Sequence, residues 1–167
     1  DREAIGRDLK SARGSPADAV QVAASATAGE GLELSVSRRA LLVLPGSFGD
    51  VEVSAELDLG RFKGAFGLAH HVKSADEAEV FVVSNTGAAA LKRRGGTAPA
   101  EVGSARVTIP RGLVKLSVSS AGTHFKGAVA GRSVVHGHGS PTDGDAVGLF
   151  FDGVGVVGVR WVHVTPL

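Results

Sequence analysis

Glu52, Glu56 and Asp58 alternate with Val51, Val53, Ala55, Leu57 and Leu59, so a strand here buries its apolar set and lines the opposite face with carboxylates. Glycoside cleavage needs two carboxyl groups about 5–10 Å apart across a sugar. Residues two apart on a strand are separated by about 6–7 Å, a spacing that Glu56 and Asp58 meet. Any half-exposed strand shows the same alternation, however, and no catalytic residue is assigned from it. Glu52 and Glu56 are instead candidate ligand contacts.

Six histidines offer a second chemistry. His70 and His71 are adjacent, so in a regular strand they face opposite sides, one of them to solvent, and cannot share an ion without a bulge. His136 and His138 can share a face, with Asp143 and Asp145 close behind. Imidazole with carboxylate suits Zn, and carboxylates alone suit Ca. Gly137, Gly139, Ser140-Pro141 and Gly144 make this a turn without an evident rigid cradle, so no cofactor is expected and a metal ligand set stays unknown. His70, His136 and His138 join the candidate contacts. Gly153-Val154-Gly155-Val156-Val157-Gly158 spells G-x-G-x-x-G, but Val159-Arg160-Trp161-Val162 follows as a strand, leaving no helix N-terminus for a pyrophosphate. Trp161 is the only Trp and there is no Tyr. It is therefore the one residue suited to stack on a sugar face, although its apolar neighbours favour burial.

Composition narrows the partners. Lys and Arg number 18 against 17 Asp and Glu, too balanced for a polyanion, so nucleic acid is not an expected partner. The one basic cluster, Lys92-Arg93-Arg94, runs into Gly95-Gly96 and reads as a solvated hairpin tip, with a phosphate or acidic-partner contact as the functional alternative and Arg93 among the candidate ligand contacts. With no Cys, disulfides, thiolate nucleophiles and Cys-ligated zinc are excluded, in either redox compartment. No apolar run approaches the ~20 residues of a helical membrane span. The chain contains no Met, position 1 included, which is read as the mark of a longer precursor or a multidomain chain.

The elements that must position these residues are strands. Residues 1–18 are taken as a leader or linker, in which Ser15-Pro16-Ala17-Asp18 offers the start of at most one short helix. Residues 19–28 suit helix or strand equally. From Leu32 onward short apolar or alternating runs recur, broken by Pro45-Gly46, Asn85-Thr86-Gly87, Pro110, Ser120-Ala121-Gly122 and the glycine-rich 136–144 segment. Separate strands are expected over 51–59 and 62–72, and again over 146–152 and 156–164. About a dozen strands with turn signals every 8–12 residues predict an all-β, two-sheet antiparallel sandwich, one domain over 19–167.

The order of strands carries a resemblance. Phe48-Gly49-Asp50 leads into Val51-Glu52-Val53-Ser54-Ala55-Glu56-Leu57, followed by Gly64-Ala65-Phe66-Gly67-Leu68-Ala69 and Ala78-Glu79-Val80-Phe81-Val82-Val83. The chain closes on Val147-Gly148-Leu149-Phe150-Phe151 and Val159-Arg160-Trp161-Val162-His163-Val164. Over residues 32–164 this resembles the concanavalin A-like jelly-roll superfamily of lectins and glucanases, and within it the laminin G-like and 3-keto-disaccharide hydrolase domains. Glu79-Val80-Phe81 stands where such domains usually carry aromatic residues, and Glu52-Val53-Ser54 lacks the middle acid of the retaining β-glucanase motif. The resemblance implies a glycan or protein ligand and a secreted or extracytoplasmic setting. The expected function is a non-catalytic recognition domain with Glu52, Glu56, His70, Arg93, His136 and His138 as contacts. The alternatives are a glycan-processing hydrolase of the 3-keto-disaccharide type and a structural module of a larger protein.

Overall fold

The computed structural model describes residues 31–95 and 100–167, and the backbone of Val20–Ala24. The leader and the short helix expected near Ser15 lie outside the described residues. Within them the chain is all strand: β1 (Val20–Ala24), β2 (Leu32–Val36), β3 (Ala40–Leu44), β4 (Val51–Ser74), β5 (Glu77–Ser84), β6 (Ala88–Arg94), β7 (Ala100–Arg106), β8 (Leu113–Ala121), β9 (His124–Val129), β10 (Arg132–His138) and β11 (Ala146–Pro166). No helix among the described residues is long and apolar enough to cross a membrane. The 19–28 stretch, ambiguous as sequence, contributes β1, which pairs antiparallel with β2 from Val20↔Val36 to Ala24↔Leu32.

Two strands expected as four turn out to be continuous. β4 and β11 run antiparallel from Val51↔Pro166 to Val72↔Ala146, and each belongs to both layers of the sandwich. The first layer runs β1, β2, the second half of β11, the first half of β4, β8, β9, β10. The second runs β3, the first half of β11, the second half of β4, β5, β6, β7. Glycines at or near the expected strand breaks form the bends between layers. Gly64 and Gly155 both sit at φ +136°, a region open to glycine and strained for other residues. A Cβ on Gly64 would lie 2.3 Å from the Asp152 carbonyl oxygen, and one on Gly155 2.2 Å from that of Arg61.

Between the layers the alternating side chains interdigitate. Leu34, Leu57, Phe66, Leu68, Phe81, Leu91, Leu116, Leu149 and Phe151 are fully buried, each contributing about 1.5–3 kcal/mol of transfer free energy. A second cluster lies on the outer face of the second layer: Leu41, Val43, Ala69, Val72, Ala78, Val80 and Phe150. This explains why β3, β5 and the second half of β4 lack polar alternation. Both of their faces are buried over much of their length.

Candidate functional site

The two outer faces of the sandwich differ in chemistry. On the first layer the bulge between Val159 and Trp161 sets Trp161 opposite Glu56, with His163 opposite Ser54 and Thr165 opposite Glu52. Glu56 in turn pairs with Lys115, and Glu52 with Ser119. The Trp161 and His163 rings lie 4.7 Å apart at 37°, and the Lys115 ammonium sits 5.9 Å from the indole centre. Contrary to the burial expected from its neighbours, Trp161 is partly exposed, because the bulge turns it to the polar face. His136 and His138 share this face at the β10 edge. The His138 ring stands 4.6 Å from that of His124, and His136 Nε2 is 3.0 Å from Ser133 Oγ. Glu52, Glu56, His136 and His138 thus occupy one surface.

His70 and Arg93 lie elsewhere. His70 is 1% exposed, points into the core and packs 5.2 Å from the Phe125 ring. The pairing of β4 with β5 shifts between His70 and Ser74, and His71 takes a left-handed φ of 46°. That irregularity brings both rings inside, their Nδ1 atoms 2.8 Å apart, where a regular strand would have sent one to solvent. Burial and then the His71 charge press the His70 pKa down to about 3. Burial also lowers that of His71, against the opposing pull of Glu79 and Asp50.

Across the sheet from His70 stands Glu79, 2% exposed, paired in register with Arg93. Arg93 Nε donates to Glu79 Oε1 at 2.7 Å and its Nη2 to the Ser140 carbonyl. The Thr142 amide donates to the same carboxylate oxygen at 3.1 Å, and Thr142 Oγ1 to the His71 carbonyl at 2.6 Å. The glycine-rich loop is therefore latched onto a buried ion pair. Gly144 closes the latch, since a Cβ there would lie 2.4 Å from the His71 carbonyl oxygen. Asp145 accepts a hydrogen bond from Ser47 Oγ at 2.7 Å. Among the described residues no three His, Asp or Glu side chains converge as a metal site.

The basic run is likewise split by strand alternation. Arg93 points inward, while Lys92 and Arg94 point outward from the second layer, so the expected hairpin tip is the end of strand β6. The depressions on this outer face include one over β4 to β7 and one toward β3. The first, about 450 Å³, is lined by Ala65, Val82, Ala88 and Ala90, with Ser84, Ser104, Lys92, Glu101 and Arg106 among the polar groups around them. Lys92 and Glu101 sit 3.9 Å apart at its rim. The second, about 510 Å³, lies toward β3 and is lined by Arg39, Arg94, Asp76 and Asp152 among others. The two adjoin: Asp152 is the cross-strand partner of Ala65, and Arg94 is two residues from Lys92 on β6. Small side chains at consecutive outward positions were visible in the sequence. Their alignment across three strands into one floor was not.

No family model and no curated protein matches this sequence. Solved structures do. The carbohydrate-binding module CBM66 from Bacillus subtilis superposes with a TM-score of 0.74 at 16% identity, over 92% of this chain and 96% of that one. A Bacillus subtilis protein of unknown function with a galectin-like fold gives 0.71 at 11% identity, over 95% and 90%. The β-glucanase of Bacillus licheniformis gives 0.59 at 9% identity, over 90% and 84%. At such identities the likeness is one of architecture. With two antiparallel layers bridged by β4 and β11, the chain has the concanavalin A-like jelly-roll fold.

Proposed function

We propose that this domain binds a glycan on the outer face of its second layer, without cleaving it. The observation that carries the reading is the depression of about 450 Å³ floored by Ala65, Val82, Ala88 and Ala90 and rimmed by Ser84, Ser104, Lys92, Glu101 and Arg106. A sugar ring has an apolar C–H face and an equatorial rim of hydroxyls. Small side chains admit the ring to the sheet surface, and the rim supplies donors and acceptors for the hydroxyls. CBM66, of the same architecture over nearly its whole length, is by name a carbohydrate-binding module. An extracytoplasmic setting is part of this reading.

The hydrolase alternative needs paired acids in a cleft. Glu52, Glu56 and Asp58 line neither depression, and Glu79 is held by Arg93 and the Thr142 amide. The partly exposed Trp161 makes the first layer's outer face a competing surface.

Titration against a glycan panel with two variants separates the faces. Ala88→Trp fills the depression from an exposed position and is expected to abolish binding with an unchanged melting temperature. Trp161→Ala is expected to leave binding intact. The opposite pattern would move the site to the first layer, and silence of the unmodified chain across the panel would sink the glycan reading.

A further inference from the structure

We propose that the depression over β4 to β7 and the one toward β3 form a single trough, and that it takes the interior of a linear glycan, about four sugar residues laid across the strands. The proposal rests on the glycan reading above and specifies its ligand class. Cross-strand register sets Asp152 beside Ala65 and Ala65 beside Ser84. The Ala88 amide donates to Ser84 Oγ at 3.3 Å, and Ala88 stands opposite Arg106. These residues cross β11, β4, β5, β6 and β7 in one row, and each is partly or fully exposed. On the same face Ala69 and Val80, paired in register, are buried. The row is therefore an accessible path beside a covered one.

Neighbouring strands stand about 4.8 Å apart, so a row over β11 to β7 spans roughly 19 Å. A sugar unit with its linkage advances by about one such spacing, which sets the number of residues the row can seat. Between Asp152 and Arg106 the row holds no side chain larger than serine, and both of its ends are polar and open. Asp152 lies just past the last pair of β3 with β11, Phe151↔Ala40. There the row enters the depression that Asp152 shares with Arg39, Arg94 and Asp76. Guanidiniums and carboxylates together supply the donors and acceptors that sugar hydroxyls, which do both, require. The Arg94 guanidinium carbon stands 4.9 Å from the centre of the Phe150 ring, which orients its N–H edge. At the other end Arg106 belongs to β7, the last strand of its layer among the described residues, and the row runs out over the sheet edge. Recognition of a chain end needs a wall across the path. A row open at both ends admits a chain that continues in both directions. At about 450 and 510 Å³, each depression lies in the range of small-ligand sites, roughly 300–1,000 Å³, and a glycan that reaches both gains contacts that a shorter one forgoes.

The test is calorimetric titration of the full chain with gluco-, xylo-, manno-, galacto- and fructo-oligosaccharides, from single sugars to hexamers, and with the parent polysaccharides. Within at least one series, affinity is expected to climb about tenfold or more from disaccharide to tetrasaccharide and to level beyond it. The matching polysaccharide is expected to bind many copies of the domain along each chain. Asp152→Ala, at an exposed position that lines only the depression toward β3, is expected to cut the tetrasaccharide's gain severalfold. It should leave the disaccharide affinity and the melting temperature unchanged. A single sugar that binds as tightly as the tetrasaccharide, a polysaccharide that takes one domain per chain whatever its length, or a gain that survives Asp152→Ala overturns the trough and leaves the glycan reading standing. Failure of every saccharide, short and long, removes both.

Discussion

A single buried network decides how His70, Glu79 and Arg93 behave. Breaking a buried ion pair by removing one partner strands the other charge, so Glu79→Ala is expected to cost about 3–5 kcal/mol and to free the 139–145 loop, readable as lost amide protection at Thr142. His70 gives the network a pH signature. Its folded pKa of about 3 lies below the ordinary 6.5, so below pH 6.5 the unfolded chain takes up a proton that the folded chain refuses. Its contribution to stability is fully present above about pH 6.5 and is lost as pH falls toward 3, at roughly 1.4 kcal/mol per unit. Urea melts at pH 7.5 and 4.5 should show this decline, and His70→Phe should flatten it. A slope unchanged in that variant would assign the effect to other groups. The histidines stand out in the sequence, but their fate does not: nothing local announces the bulge that turns His71 inward beside His70.

At the scale of elements, the alternation over 51–59 is enough to place Glu52 and Glu56 on an outer face, because period two has one meaning in a strand. Continuity through 59–64 and 152–155 is not legible in the same way. Glycine is as much at home in a turn as in a bend, and only the pairing of β4 with β11 shows which. Gly64→Ala places a Cβ at φ +136° beside the Asp152 carbonyl, and is expected to cost about 1–3 kcal/mol from backbone strain alone. Chemical denaturation measures it. A neutral outcome would mean that the bend is not constrained by this position.

On the scale of the whole molecule, Phe81 joins the layers. It is fully buried, and a Cβ on the facing Gly127 would lie 2.5 Å from its ring, so the ring rests directly on the backbone of β9. Phe81→Ala leaves a cavity between the layers and is expected to cost about 3–5 kcal/mol, seen as a lowered melting temperature. The all-strand class, the antiparallel sandwich and the faces of the best-patterned strands follow from local sequence, since hydrophobic periodicity and turn residues act over a few positions along the chain. The hollows on the outer face of the second layer arise from the fold instead. The depressions are built from single small or charged residues on β3, β4, β5, β6, β7 and β11. Their neighbourhood exists only through long-range registers, which no local pattern encodes.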